Sequence, residues 1–195
     1  VSKFSKENIC KLSNQIYPPL LNEKAVPNTC NVNKNMIITG SNASGKTTIL
    51  KATTINIILT QQFGLGFYSS CNINPYTHIH SYLNIPDTSE RDSLFQAESR
   101  RCKEIIQTIS DTPDNSRHFC IFDELYSGTN PDEASKSGYA FLKYLEQFKN
   151  VNFMLTTHYT YICKKFKTSD SSINYKMHTT VNEDGSLHFH YKMKK

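Results

Sequence analysis

Residues 36–48 read MIITGSNASGKTT, and this stretch decides the fold of the chain. Its first four residues form a short apolar run that predicts a buried strand. The next eight residues match the pattern G-x-x-x-x-G-K-[ST] without a mismatch: Gly40, Ser41, Asn42, Ala43, Ser44, Gly45, Lys46 and Thr47. The segment ILKATTINIIL, which follows, carries apolar residues at helical spacing. A strand, a glycine-rich loop and a helix in this order predict a phosphate-binding loop.

Such a loop turns its backbone N–H groups inward around phosphate oxygens, and the N-terminus of the following helix adds partial positive charge. Lys46 would reach the β- and γ-phosphates, and the Thr47 hydroxyl would be a ligand of Mg²⁺, with Thr48 completing the binding segment. The alternative is a glycine-rich turn without a ligand, which the flanking strand and helix disfavour. The loop therefore predicts ATP and Mg²⁺ as cofactors.

A second apolar run, FCIF at 119–122, ends in two adjacent carboxylates, Asp123 and Glu124. Burying acids there is costly unless they face positive charge. An Asp in this position can hold Mg²⁺ from the side opposite the loop, so Asp123 is the second predicted metal-binding residue. Glu124 would orient and deprotonate the attacking water. The alternative, two acids that merely cap a surface strand, would leave the apolar run ending beside no compensating charge.

A third apolar run, VNFMLTT at 151–157, ends at His158. If this strand neighbours the other two, His158 would lie near the γ-phosphate and could sense it by a hydrogen bond. A histidine after a strand is often incidental. The order of loop, acidic pair and histidine favours the functional interpretation.

The rest of the chain alternates strands and helices. Helical spacing begins at Ser93, with Leu94, Cys102 and Ile105 on one face, and recurs from Asp132 to Phe148. Residues 1–35 are predicted as mostly loop and short strands. The tail alternates at a period of two around the turn NEDG, which predicts a hairpin. The expected fold is α/β, with a mainly parallel central sheet flanked by helices and an antiparallel β addition.

Composition sets wider limits. The chain has 195 residues, 37 % of them hydrophobic, a formal net charge of +5 and six cysteines without metal-like spacing. No run approaches the roughly 20 apolar residues that span a bilayer, so we expect no membrane partner. Cysteines in this pattern are typical of an intracellular protein, in cytoplasm or nucleus. Because the sequence lacks an initiator Met, we expect a segment of a longer protein.

These motifs together resemble the ATPase domain of the MutS family, within the ABC-type P-loop ATPases. IITGSNASGKTT resembles ITGPNxxGKST, FDELYSGTN resembles the DExxRGT segment, and TTHY resembles ATHY. The resemblance runs from about Tyr17 to Lys195. It implies one ATPase domain over 1–195, with a lead-in segment at 1–35, a P-loop core at 36–160 and a C-terminal β-hairpin at 170–195.

The segment SLFQAE, starting at Ser93, resembles the family's S-T-F-x-x-E, whereas the LSGGQ of transporters is absent from the sequence. The resemblance implies that Ser93 reaches the γ-phosphate bound by a partner domain. Ser93 and Gln96 would also form a capping box, which starts a helix without any ligand. Both interpretations can hold, because one cap can serve both purposes.

Two departures from the family pattern indicate a divergent branch. Ser127 stands where the family's motif carries Arg. Ala25 or Val26 stands where many members place an aromatic residue that stacks on adenine. Tyr191 is the predicted replacement, but on a strand it would share one face with Leu187, Phe189 and Met193, so packing in the core is the favoured alternative.

The resemblance implies Mg-dependent ATP hydrolysis that controls pairing with a second ATPase domain, as a homodimer or a MutS-like heterodimer. It also implies DNA mismatch repair or a related DNA transaction, with DNA bound by domains outside this chain. The alternative is an ATP-dependent dimerisation or scaffolding module without a role in DNA repair. A small-molecule kinase is disfavoured by Glu124, Ser93 and His158.

Overall fold

A computed structural model describes residues 1–83 and 93–195. Within these ranges the strands are β1 (Ser2–Phe4), β2 (Cys10–Gln15), β3 (Asn28–Asn31), β4 (Asn35–Thr39), β5 (Ser70–Ile73), β6 (His78–Tyr82), β7 (His118–Asp123), β8 (Val151–Thr157), β9 (Ser172–Val181) and β10 (Leu187–Lys194). The helices are α1 (Lys46–Phe63), α2 (Leu94–Asp111), α3 (Pro131–Leu145) and α4 (Thr160–Phe166), and a short 3-10 turn spans Pro18–Leu20.

The central sheet has six strands in the order β10-β9-β4-β8-β7-β6. Every neighbouring pair is parallel except β9 and β10. The predicted mainly parallel sheet is therefore confirmed. The antiparallel addition is the pair of β9 and β10, and β9 joins this pair to the sheet because it runs parallel to β4.

Strands β4, β7 and β8 each contain an uninterrupted apolar run, at 36–38, 119–122 and 153–155, because both faces of the sheet are covered. On β7, Phe119 and Ile121 pack towards α1, while Cys120 and Phe122 pack towards α2, α3 and α4. All seven residues of β8 are buried. Strands β4, β8 and β7 therefore end side by side at one edge of a rigid core.

A second sheet, in the order β1-β5-β2-β3, is formed largely by the lead-in segment. Helix α1 packs between the two sheets, with its apolar residues in the cluster that contains Leu12, Met36 and Ile121. Buried polar contacts hold α1 to β2: the Gln15 amide donates to the Thr53 hydroxyl over 2.6 Å. This sheet was not predicted, because its strands are short and because apolar and polar residues alternate along them. Its effect is to fix α1, and hence the loop before it.

The helices mostly follow the predicted pattern. The capping box at the start of α2 is confirmed, because Ser93 Oγ accepts from Gln96 N and Gln96 Oε1 accepts from Ser93 N. Helix α3 ends at Leu145, three residues earlier than predicted. The two-turn α4 is too short to show a period and was not predicted. No helix in 1–83 or 93–195 is long and apolar enough to cross a membrane.

Candidate functional site

The glycine-rich segment 40–47 joins β4 to the first turn of α1, and we call it the 40–47 loop. Two of its residues adopt left-handed backbone angles, Ala43 at φ 63° and Gly45 at φ 93°. Gly45 is the N-cap of α1 and has no side chain to cap the helix. A Cβ at Gly45 would lie 3.2 Å from the Tyr191 ring. The first N–H groups of an 18-residue helix are thus left available for an anion.

Lys46 lies at the mouth of this loop and is 6 % exposed. Its ammonium group donates to the carbonyl oxygens of Gly40 at 2.8 Å and Ser41 at 3.2 Å. It also lies 3.4 Å from Glu124 Oε1. A buried cation beside uncapped N–H groups is the donor set that phosphate oxygens require.

The end of β7 places Asp123 against the loop. The Thr47 hydroxyl lies 3.0 and 2.8 Å from the two Asp123 carboxylate oxygens. The Thr156 hydroxyl, opposite Asp123 in the β7–β8 register, also donates to Asp123. A hydroxyl and a carboxylate fit Mg²⁺, which binds few protein ligands and completes its shell with phosphate and water. Among residues 1–83 and 93–195, no three His, Cys, Asp or Glu side chains form a metal-binding group of their own.

Glu124 lies between Lys46 and His158. Its Oε2 is 2.6 Å from His158 Nδ1, and its backbone N–H donates to the Thr156 carbonyl over 3.1 Å. Its backbone is left-handed, with φ 53°. Burial, with the nearby charges of Glu124 and Glu98, raises the pKa of Tyr159, whose ring lies 4.4 Å from that of His158. The predicted adjacency of the three strands is confirmed, since β8 lies between β4 and β7.

A cavity of about 650 Å³ opens beside the 40–47 loop. Its lining includes the whole of residues 41–48, together with Glu124 and Tyr191. The second wall comes from the lead-in segment and was missed in the sequence, apart from Ala25 and Val26: it consists of Gln15, Tyr17, Leu20, Glu23, Lys24, Ala25, Val26 and Asn28. Within the described part of the chain, Ser93, Asp123 and His158 do not line this cavity.

Tyr191 faces this cavity and is 48 % exposed. The favoured alternative, packing in the core, was therefore wrong. A bulge between Phe189 and Met193 breaks the alternation of β10, and Tyr191 has φ 51°. The Asn28 amide holds the bulge: it donates to the Tyr191 carbonyl over 2.9 Å and accepts from Met193 N–H over 2.8 Å. The bulge turns the ring towards Gly45.

Ser93 lies elsewhere, at the exposed N-terminus of α2. The next residue, Leu94, packs against Gly128, where a Cβ would clash with the Leu94 side chain. Ser93 therefore lies beside the segment that follows β7, and the predicted contact with a partner's nucleotide stays a prediction.

Comparison with known proteins places these features in a family. The family described as MutS domain V matches residues 36–195. Endonuclease MutS2 of Lactobacillus acidophilus is 27 % identical over 184 residues, which cover 91 % of this chain and 23 % of that protein. Endonuclease MutS2 of Staphylococcus epidermidis is 30 % identical over 159 residues, 80 % of this chain and 20 % of that protein. DNA mismatch repair protein Msh3 of Dictyostelium discoideum is 31 % identical over 140 residues, 69 % of this chain and 9 % of that protein. The chain thus spans about a fifth of the length of these MutS2 relatives.

Proposed function

The chain belongs to the MutS family through its domain V, and on this basis we propose that it binds ATP with Mg²⁺ and hydrolyses it to ADP and phosphate. We further propose that ATP controls pairing of two such domains in a MutS-like DNA mismatch repair protein. The domain would be a P-loop ATPase of the ABC type, on a divergent branch because Ser127 replaces the Arg of the family's motif. DNA would be bound outside this chain.

One observation carries the proposal: Lys46, Asp123, Glu124 and His158 converge at the end of three adjacent strands, beside the uncapped start of α1. In the proposed site, Lys46 and the loop N–H groups bind phosphate oxygens. Thr47 and Asp123 would hold Mg²⁺, which when bound neutralises developing charge on those oxygens. These two metal-binding side chains already lie together, since the Thr47 hydroxyl contacts the Asp123 carboxylate.

Glu124 is the proposed general base. One carboxylate oxygen, Oε1, contacts the Lys46 ammonium group, and the other, Oε2, contacts His158 Nδ1. When Lys46 turns to phosphate, Oε1 becomes free to accept a proton from water. His158 holds the other oxygen and so fixes the orientation of the carboxylate.

The shared site is proposed for a dimer, homomeric or with a MutS-like partner. Ser93 is exposed at the start of an 18-residue helix, where a second domain could present its nucleotide. We expect the rate of phosphate release to rise more steeply than linearly with protein concentration, because each complete site would need two copies of the domain. A monomer in a mass measurement with ATP would contradict it.

The test of hydrolysis is Glu124→Gln, which keeps the shape of the side chain and removes the base. We expect binding of a fluorescent ATP analogue to persist while phosphate release falls by at least roughly 100-fold. Glu23→Gln is the matched control, because Glu23 lines the same cavity yet has no proposed chemical role. Wild-type turnover by Glu124→Gln would rule out the assigned base.

A further inference from the structure

We infer that Glu98 on α2 is a positioning residue, which holds the segment carrying Glu124 in its working conformation. This inference rests on the proposed function. The segment in question is Glu124–Asn130, between β7 and α3, and we call it the 124–130 loop.

The 124–130 loop has an unfavourable backbone. Glu124 has φ 53° and Tyr126 has φ 57°, both in the left-handed region that side chains disfavour. Such a conformation persists only where surrounding contacts determine it. The position of the Glu124 carboxylate therefore depends on what grips the residues after it.

Glu98 anchors the 124–130 loop by a buried hydrogen bond to its backbone. Its side chain is 2 % exposed, and its Oε1 accepts from the backbone N–H of Ser127 over 2.9 Å. The Ser127 hydroxyl lies 3.4 Å from the same oxygen. Next to it, Tyr126 N–H donates to the buried Tyr82 hydroxyl over 3.2 Å. The charge of Glu98 adds to burial in raising the pKa of both Tyr82 and Tyr126, in keeping with its place against the loop.

Packing joins the same loop to the start of α2. The Phe95 ring lies 5.3 Å from that of Tyr126, and Leu94 fills the space beside Gly128. Glu98 is one turn further along the helix, on the face of Leu94. The helix end that presents Ser93 to solvent thus also fixes the loop that presents Glu124, with Glu98 as the polar link between them.

Two substitutions with side chains of similar length distinguish the effect of the hydrogen bond from the effect of side-chain volume. Glu98→Gln keeps an oxygen acceptor for Ser127 N–H, whereas Glu98→Met keeps the volume and loses the acceptor. Ile109→Ala is the control: it removes buried volume about three turns further along α2 than Glu98.

Steady-state phosphate release should show Glu98→Met with kcat reduced roughly 10- to 100-fold and KM for ATP nearly unchanged, because misplacing a catalytic group affects turnover more than binding. Glu98→Gln should restore kcat to within about 3-fold of wild type, since it restores the acceptor. Ile109→Ala should lower the melting temperature and leave kcat unchanged. Equal kcat values for Glu98→Met and Glu98→Gln would overturn the inference.

Hydrogen–deuterium exchange keeps this inference separate from the proposed hydrolysis. Glu98→Met should raise exchange in peptides covering 124–130 while peptides from α1 stay protected, and Glu98→Gln should not. If the wild-type chain releases no phosphate but this exchange difference appears, hydrolysis fails and the grip stands. If phosphate is released and exchange in 124–130 is the same in all variants, the grip fails alone. Loss of protection throughout Glu98→Met would also overturn it, since Glu98 would then support the whole fold.

Discussion

Replacing Asn28 with Ala should release β10 from the edge of the cavity. The Asn28 side chain is 5 % exposed, and its amide bonds to the Tyr191 carbonyl and the Met193 N–H at 2.9 and 2.8 Å. Alanine leaves both backbone groups of the bulge without these partners. The change therefore tests directly what turns Tyr191 towards the 40–47 loop.

The size of the effect follows from the number of bonds lost. A buried polar group that loses its partner costs about 1–3 kcal/mol, so the two groups of the bulge together would cost about 2–6 kcal/mol. The third bond of the amide, to the Val26 carbonyl, is longer at 3.3 Å and should add little. Because both groups lie near the open side of the cavity, water can replace part of each bond. We therefore expect the free energy of unfolding to fall by about 2 kcal/mol, at the low end of the range.

Urea denaturation of wild type and Asn28→Ala measures this difference. Asn182→Ala is the control, because its amide donates to Ser186 in the exposed turn between β9 and β10 and its loss should cost less than about 0.5 kcal/mol. Asn28→Ala should also bind a fluorescent ATP analogue more weakly. If its unfolding free energy matched that of Asn182→Ala, the amide would not hold the bulge.

Three further outcomes test other parts of the structure. Burial lowers the pKa of His80 and His118 from 6.5 to about 4, so their neutral forms stabilise the fold above pH 6.5 and this contribution is lost as pH falls towards 4. Each proton that the unfolded chain binds and the folded chain does not bind costs about 1.4 kcal/mol per pH unit. Because His80 Nε2 and His118 Nδ1 lie 2.9 Å apart, their protonations are coupled and the two losses do not simply add. His80→Gln should flatten the decline in urea titrations from pH 7 to 4. Thr156→Val removes a hydroxyl bonded to Asp123 and should raise the Mg²⁺ concentration needed for half-maximal phosphate release, whereas an unchanged requirement would show that Asp123 needs no such support. Phe122→Ala empties a fully buried site and should cost about 3–5 kcal/mol by calorimetry, and a cost under about 1 kcal/mol would contradict the described packing.

The sequence was most informative where geometry is set by consecutive residues. The 40–47 loop needs a left-handed residue, Gly45, immediately before a helix. The eight-residue pattern specifies both the glycine and its position relative to the helix. The strands that lead to Asp123 and His158 were also predictable, because buried parallel strands contain uninterrupted apolar runs. Their adjacency then brought Glu124 and His158 into contact, as expected for neighbouring strands of one sheet.

Elsewhere the decisive contacts join residues that are remote in sequence. Tyr191 was assigned to the core by alternation, but a bulge held by Asn28, 163 residues earlier, reverses its direction. The second sheet escaped notice because β2 pairs with β5, about 60 residues away, and its polar residues alternate without a long apolar run. The bond between Glu98 and Ser127 was not predicted either: Glu98 ends the segment SLFQAE, but nothing in that motif indicates a partner 29 residues further along the chain.

The cavity draws its walls from both ends of the chain, with Tyr17 on one side and Tyr191 on the other. Unfolding of either sheet would therefore remove the cavity. A nucleotide that binds there would bind only the folded form and so stabilise the entire domain. At a concentration 100 times its dissociation constant, such a ligand adds about 2.7 kcal/mol to the unfolding free energy by mass action. Cellular lifetime of the domain would then follow nucleotide supply as well as sequence, with the empty form the more readily degraded.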